Sequence, residues 1–351
     1  MDNRWMILAL LFVARIGLGF QFQTMGSVSG ELAKDLDLNY TAIGSLIGLF
    51  MVPGVFLAIP AGFAGRFVSD RFIVGLGLLT LGAGGALASI AESFELLAVA
   101  RLICGAGFVF STIFLTKIVA DLFSGKELAT AMGIFVMSWP GGIAMGQIGH
   151  GWLATNFDWR MAFVAASAYC VMGALLVMIF CRAVPSDTKQ TDGFRFALNR
   201  NEVFLILVAS LVWSLFNAGY VVYLSFAPSV LVSAGYDMVA ALSVISLASW
   251  LMLISGVVCG LIADRSGKAD LVLYVCMAAA IVALLILFIT PLAIPSSVLF
   301  GLMGVAPAGV IMALTGQAMK PENRAMGMGF FLPLISLFKL PRRLSLAGFT
   351  I

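Results

Sequence analysis

Long apolar runs separated by short polar stretches set the pattern of this chain. They cover roughly residues 5–25, 41–63, 72–91, 96–118, 128–150, 161–181, 203–231, 239–262, 271–290 and 297–318. Each is close to the ~20 apolar residues that a helix needs to cross the hydrocarbon layer of a bilayer. The runs are continuous rather than alternating. That predicts helices and excludes a porin-like barrel, whose strands alternate apolar and polar positions. An eleventh run starts near Ala325 and stops near Phe338, short of a full crossing. The expected fold is all-α, a polytopic membrane helical bundle.

Composition agrees. Of 351 residues, 62% are hydrophobic and 11% charged, against about 45–50% and about 25% in soluble domains. Such a chain cannot cover a water-exposed surface, which excludes soluble enzymes, nucleic-acid binders and disordered scaffolds. The net charge of +3 implies no large electrostatic partner. The partners expected are the lipid bilayer and a small solute, with the chain a monomer. Cys104, Cys170, Cys181, Cys259 and Cys276 lie in or at the ends of apolar runs, without zinc-ligand spacing. With one histidine, His150, no metal centre is expected, and no cofactor. The first run is too long for a signal peptide and is read as a retained span.

Lysines and arginines orient the spans. With the N-terminus inside, 13 of them up to Arg324 fall in inner segments and only Lys34 and Arg160 in outer loops. The location expected is the cell membrane (plasma or inner), multi-pass, with the N-terminus cytoplasmic. The longest polar stretch divides the chain into an N-terminal transmembrane half (1–182), a cytoplasmic loop (183–202) and a C-terminal half (203–351). Ala131-Met132-Gly133 recurs as Ala325-Met326-Gly327, and Gly19-Phe20 loosely as Gly219-Tyr220, offsets of 194 and 200. Parallel repeats around a central site are a transporter design. On the longer offset the second half ends about 31 residues early, so a truncation or shifted reading frame after about Phe331 is expected.

The most specific motif is Gly260-Leu-Ile-Ala-Asp264-Arg265-Ser-Gly267-Lys268. It resembles the Gly-x-Leu-Ala-Asp-Arg-x-Gly-Arg/Lys loop of the major facilitator superfamily. That family carries the motif twice. Here the first copy, Pro60-Ala-Gly62-Phe-Ala-Gly65-Arg66-Phe-Val-Ser-Asp70-Arg71, lacks the Asp before Arg66, with Asp70 the candidate substitute. Arg101-Leu-Ile-Cys-Gly105-Ala-Gly107 resembles the fourth-span motif, and Gly133 to Gly146, through Trp139-Pro140, the fifth-span one. Asp158-Trp159-Arg160 and Pro321-Glu-Asn-Arg324-Ala-Met-Gly327 resemble family segments before the sixth and eleventh spans. Arg15, the Gly19-Phe-Gln21-Phe-Gln23 run and Ser138-Trp139-Pro140 resemble the cyanate/nitrate-type permease branch. The resemblance implies a secondary transporter working by rocker-switch alternating access. It also implies that Gly260, Asp264, Arg265, Gly267, Lys268, Arg66 and Asp70 act at an inner gate.

Charge inside the membrane points to the solute. Ionisable residues in spans are functional candidates. Arg15 lies mid-way along the first span and Arg101 near one end of the fourth, while no Asp or Glu lies deep in any span. A buried guanidinium needs compensation, and an anionic substrate supplies it through a bidentate fork. Arg15 shares a helical face with Gly19, Phe22 and Gln23; Arg101 shares one with Gly105, Phe108, Thr112 and Thr116; Ser210, Trp213, Asn217 and Tyr220 share a third. Arg15, Gln23, Arg101, Asn217 and Tyr220 are the substrate-binding candidates. Plainer roles stand beside these. Arg101 can hold backbone carbonyls, Asn217 and Tyr220 can bridge helices, Trp139-Pro140 can kink a span, and His150 fits an interfacial position. Nothing points to an enzyme, and the Gly-x-x-x-x-Gly-Lys-Ser/Thr loop of ATP hydrolysis is missing. Two alternatives remain: efflux of amphipathic compounds, and a truncated non-functional transporter or receptor.

Overall fold

The computed structural model describes residues 3–65, 67–123, 127–181, 200–236, 238–290 and 292–317. Arg66, the eleventh run, the Ala325-Met326-Gly327 repeat and most of the 183–202 loop lie outside the described residues. Those described are all-α. The helices are α1 (Asn3–Ser27), α2 (Ser29–Asp35), α3 (Tyr40–Leu49), α4 (Val52–Ala64), α5 (Asp70–Ser89), α6 (Phe94–Leu122), α7 (Leu128–Val136), α8 (Ser138–Asn156), α9 (Trp159–Phe180), α10 (Arg200–Ser233), α11 (Met238–Ser266), α12 (Ala269–Ile289), α13 (Ala293–Leu299) and α14 (Ala308–Gln317), with a π-helical turn at Phe300–Gly304. They supply ten stretches long and apolar enough to cross a membrane, matching the ten apolar runs.

Three of those stretches are broken, each where the sequence favours it. α3 gives way to α4 at Phe50–Met51, and Pro53 sits in the first turn of α4. Proline is tolerated there because a first-turn N–H has no helical partner anyway. The fifth stretch breaks at Met137, with Pro140 in the first turn of α8, which is the kink expected of Trp139-Pro140. The tenth contains the π-turn, followed by Pro307 just before α14.

The described residues group into two compact units. One takes in Met1–Ile118 and Ser138–Ile206, the other Val119–Met137 and Leu207–Ala318. In the first, α1 packs on α8 and α9, and α5 on α9. The α1–α8 seam depends on small residues. A side chain on Gly142 would run into the Ile16 carbonyl, and one on Gly19 into the Trp139 carbonyl. One end of this unit is closed by a core of Met25, Val28, Leu32, Leu46, Leu97 and Phe163. A polar clasp lies beside it. Asp158 caps α9 by accepting from the Arg160 N–H (2.7 Å), and Asp35 accepts from Trp159 Nε1 (3.0 Å) and Arg160 Nη1 (3.0 Å).

In the second unit α7 packs on α11 and α14, and α12 on α13 and the π-turn. Hydroxyls tie these helices: Tyr223 donates to Ser297 (2.8 Å), Ser255 to the Gly301 carbonyl (2.7 Å) and Ser296 to the Ala283 carbonyl (2.7 Å). Large apolar side chains such as Leu271, Ile281, Leu285 and Phe288 on α12 point outward and are exposed. A face of that kind is stable against lipid tails and would be an aggregation site in water.

Two predictions follow from the first unit. Gly142→Ala overpacks the α1–α8 seam at a cost of about 1–3 kcal/mol, which lowers the melting temperature in detergent. Gly141→Ala, with no neighbouring heavy atom within 4 Å of the new methyl, does not lower it and, inside a helix, raises it slightly. The Trp159 N–H and the Arg160 guanidinium hold the Asp35 carboxyl below its usual range. The clasp therefore stabilises the fold above the unfolded carboxyl value of about 3.9 and loses that contribution as pH falls through the lower folded value. The gap between the melting temperatures of the wild type and Asp35→Asn, measured from pH 7 downward, narrows as pH falls below about 4.

Candidate functional site

Arg15 lies at the midpoint of α1 and is buried. Its Nη1 donates to Ser138 Oγ at 3.1 Å, across the α1–α8 seam. A guanidinium carries five N–H donors in a planar fork, a geometry suited to carboxylate-like anions. Two turns along α1, Phe22 meets Trp139 of α8 at 5.4 Å between centroids. The Ser138-Trp139-Pro140 turn thus receives both the charge and the ring of one α1 face. Gln23, on the same face, donates from Nε2 to Ser27 Oγ (3.2 Å), which donates to the Gly146 carbonyl (3.1 Å). Gln23 is in the first unit near Arg15 in sequence but is engaged along the seam.

Arg101 is fully buried and holds backbone. Nε donates to the Leu46 carbonyl (3.2 Å), Nη1 to the Gln21 carbonyl (3.4 Å) and Nη2 to the Phe22 carbonyl (3.4 Å), with the guanidinium 4.6 Å from the Phe50 ring centroid. One side chain of α6 therefore ties α1 to α3. His150, expected at an interface, is wholly buried. Its Nε2 lies 3.0 Å from the Phe20 carbonyl oxygen and its ring 4.1 Å from that of Phe20.

In the second unit Asn217 Nδ2 donates to the Trp213 carbonyl on its own helix (2.8 Å), and Tyr220 shares a hydrogen bond with Ser249 of α11 (3.2 Å). The Gly260–Lys268 loop builds a tight polar joint here. Asp264 accepts from the N–H groups of Ala129 (3.2 Å) and Thr130 (2.7 Å) and from Thr130 Oγ1 (2.6 Å). The carboxylate therefore sits on the first turn of α7, where unpaired N–H groups and the helix dipole favour negative charge. Gly260 makes the approach possible, since a side chain there would meet the Ala129 carbonyl at 2.5 Å. Gly267 takes φ +64°, a left-handed conformation suited to glycine, and turns the chain from α11 to α12. Arg265 occupies the last turn of α11, and the Lys268 N–H bonds Ser266 Oγ at 3.3 Å.

The first copy of the motif behaves differently. Asp70 opens α5 and forms an ion pair with the buried Lys117 of α6 at 2.5 Å. Gly65 stands where an acidic residue was expected and packs against the Phe114 ring. Ser138, Thr130 and Lys117 are the residues that sequence reading passed over as site members. Ser138 lies inside a motif already singled out, and Lys117 is a lone cation near the end of an apolar run. Among the described residues no three His, Cys, Asp or Glu side chains are placed to hold a metal ion.

The sequence profile of the Major Facilitator Superfamily matches residues 7–338. The chain is 27% identical to Multidrug resistance protein 1 of Bacillus subtilis over 216 residues, 58% of this chain and 53% of that protein. It is 30% identical to an MFS-type efflux pump of Mycolicibacterium smegmatis over 215 residues, 58% of this chain and 49% of that protein. The chain thus spans about half the length of the curated relatives it matches. In structure it is similar to the E. coli fucose:proton symporter, with a TM-score of 0.75 and 15% identity over 95% of this chain and 89% of that one. With the profile matched over nearly its whole length, the chain belongs to the major facilitator superfamily, whose members are transporters rather than enzymes.

Proposed function

We propose that this chain carries a small organic anion across the cell membrane as a secondary transporter. The halves 1–182 and 203–351 would rock about a central site, joined by the 183–202 loop, with the N-terminus cytoplasmic and the chain acting as a monomer. The observation that carries the reading is Arg15. It is a permanent cation at the midpoint of a span, buried on Ser138, in a chain with no acidic residue deep in any span. A bound anion would meet that charge where water does not. Gln23, Asn217 and Tyr220 are offered as polar lining, and Arg101 as the residue that positions Phe22 and Phe50. The names of the relatives, a multidrug resistance protein and an efflux pump, favour export over uptake and an amphipathic cargo.

Gating would centre on Asp264. Its carboxylate holds the first turn of α7, so release of that contact would free the end of the fifth span to move. Gly260 and Gly267 shape the joint, and Arg265 and Lys268 add charge beside it. Asp70, paired with Lys117, and Arg66 would act at the corresponding loop of the other half.

Arg15→Ala tests the reading. Transport of small organic anions into vesicles carrying the chain falls at least tenfold, while the amount of protein in the membrane stays near normal; unchanged transport refutes the anion anchor. Asp264→Ala removes a carboxylate cap, a loss of about 0.5–2 kcal/mol. Its melting temperature falls, and limited proteolysis cuts the polar segment before α7 faster than in the wild type.

A further inference from the structure

Four aromatic rings from four different chain segments meet in the first unit and close a circuit. Phe22 of α1 lies 5.3 Å from Phe50, at the break between α3 and α4. Phe50 lies 5.3 Å from Phe108 of α6, and Phe108 lies 5.3 Å from Trp139 of α8. Trp139 returns to Phe22 at 5.4 Å. Neighbouring rings are tilted by 37° to 71° rather than stacked flat. Tilted rings present both negative faces and positive edges. Phe50 is fully buried and forms the floor, whereas Phe22, Phe108 and Trp139 are only half-buried and keep surface open.

The circuit is held from behind. Arg101 lies over the Phe50 ring and binds the Phe22 carbonyl, so two of the four rings are fixed by one buried side chain. Gly105 lets α6 approach the break, since a side chain there would run into the Phe50 carbonyl. Rings held before a ligand arrives lose little freedom on binding. The charge beside the circuit sets the sign of what it can take. Arg15 reaches Ser138, the residue before Trp139, and lies seven residues, ~10 Å along α1, from Phe22. With Arg101 and Arg15 both near these rings, an organic cation meets two like charges.

We infer that this circuit is the aryl-binding half of the transport site, so that the cargo is an aromatic anion: a ring laid against the open surface of Phe22, Phe108 and Trp139, joined by a short chain to an anionic group on Arg15. The inference rests on the anion reading above and names the class of anion.

Three matched probes test it: 4-phenylbutyrate, its saturated counterpart 4-cyclohexylbutyrate, and 4-phenylbutylamine. Binding to the full chain in detergent is measured by calorimetry, with protein-free micelles as the blank. Wild type binds 4-phenylbutyrate about tenfold tighter than 4-cyclohexylbutyrate, the worth of one or two aromatic contacts. Trp139→Leu and Phe108→Leu bring the two acids to within about twofold of each other, and Arg15→Gln weakens both acids alike. Equal binding of the two acids by wild type, or a preference that survives in both ring variants, overturns the aryl site and leaves the anion reading standing. Binding of 4-phenylbutylamine tighter than the acid and undiminished in Arg15→Gln overturns both, as does binding of none of the three. A second measurement covers ring variants that fail to fold. 4-(4-Bromophenyl)butyrate quenches tryptophan emission in wild type, and Trp139→Phe, which keeps a ring in place, loses that quenching. Quenching that persists in Trp139→Phe overturns the inference.

Discussion

A guanidinium inside a membrane-spanning helix must find its acceptors in the protein, because the hydrocarbon around it offers none. Arg101 meets that constraint with carbonyl groups of Leu46, Gln21 and Phe22. Those carbonyls belong to α1 and α3, so satisfying one side chain fixes two helices against α6. Removing the guanidinium would release both helices at once and leave them without a common anchor. The arrangement also explains why the break at Phe50–Met51 is tolerable. Arg101 packs on the Phe50 ring at that same point, so the break in the second span is backed by a buried polar tie.

Once those helices are fixed, close approach does the rest. Without a hydrophobic driving force between helices in lipid, packing and polar ties must hold them. The α1–α8 seam has glycines on both sides, Gly19 and Gly142, and Arg15, Gln23, Ser27 and Ser138 tie it along its length. The second unit uses hydroxyls instead, from Tyr223, Ser255 and Ser296. Asp264 on α7 and Asp70 on Lys117 show two ways of holding a carboxylate near a span end. One spends its charge on backbone N–H groups at a helix start, the other on a buried ammonium. A bond to helix N–H groups depends on where that helix stands, whereas an ion pair on long side chains can follow small shifts. The Asp264 joint is therefore the more position-sensitive of the two.

Much of this was legible in the sequence. Ten runs of about the right length pointed to the ten spans found among the described residues, since a bilayer has one thickness and a helix one rise per residue. Pro140 marked the kink, and Gly267 the turn after α11, because both residues act through their own backbone. The partners of the candidate residues were not legible. Ser138 is 123 residues from Arg15, and Thr130 is 134 from Asp264. A single hydroxyl in an apolar run looks the same whether it faces lipid, bonds its own helix as Asn217 does with its amide, or accepts from an arginine. Helical periodicity gives the face of a residue but not the helix opposite. For the same reason Arg101 and Arg15 looked alike as intramembrane cations, and only their surroundings separate them.

That separation bears on how charge can be used in one unit. Arg101 has carbonyls from two other chain segments and a ring against it, so these donors are engaged with the protein. Arg15 reaches across a seam to the Ser138 hydroxyl, whose neighbour, Trp139, belongs to the ring circuit. A serine hydroxyl can rotate and exchange partners at little cost, whereas a helix carbonyl can be released only by moving the helix. If the two arginines exchanged surroundings, an arriving anion would have to displace helices to reach a guanidinium. In the proposed transport site, an anion at Arg15 would meet a hydroxyl that can turn aside. In the proposed transport site, the cation behind the rings would supply a fixed shape and the one beside them a ligand contact, the two demands on such a site.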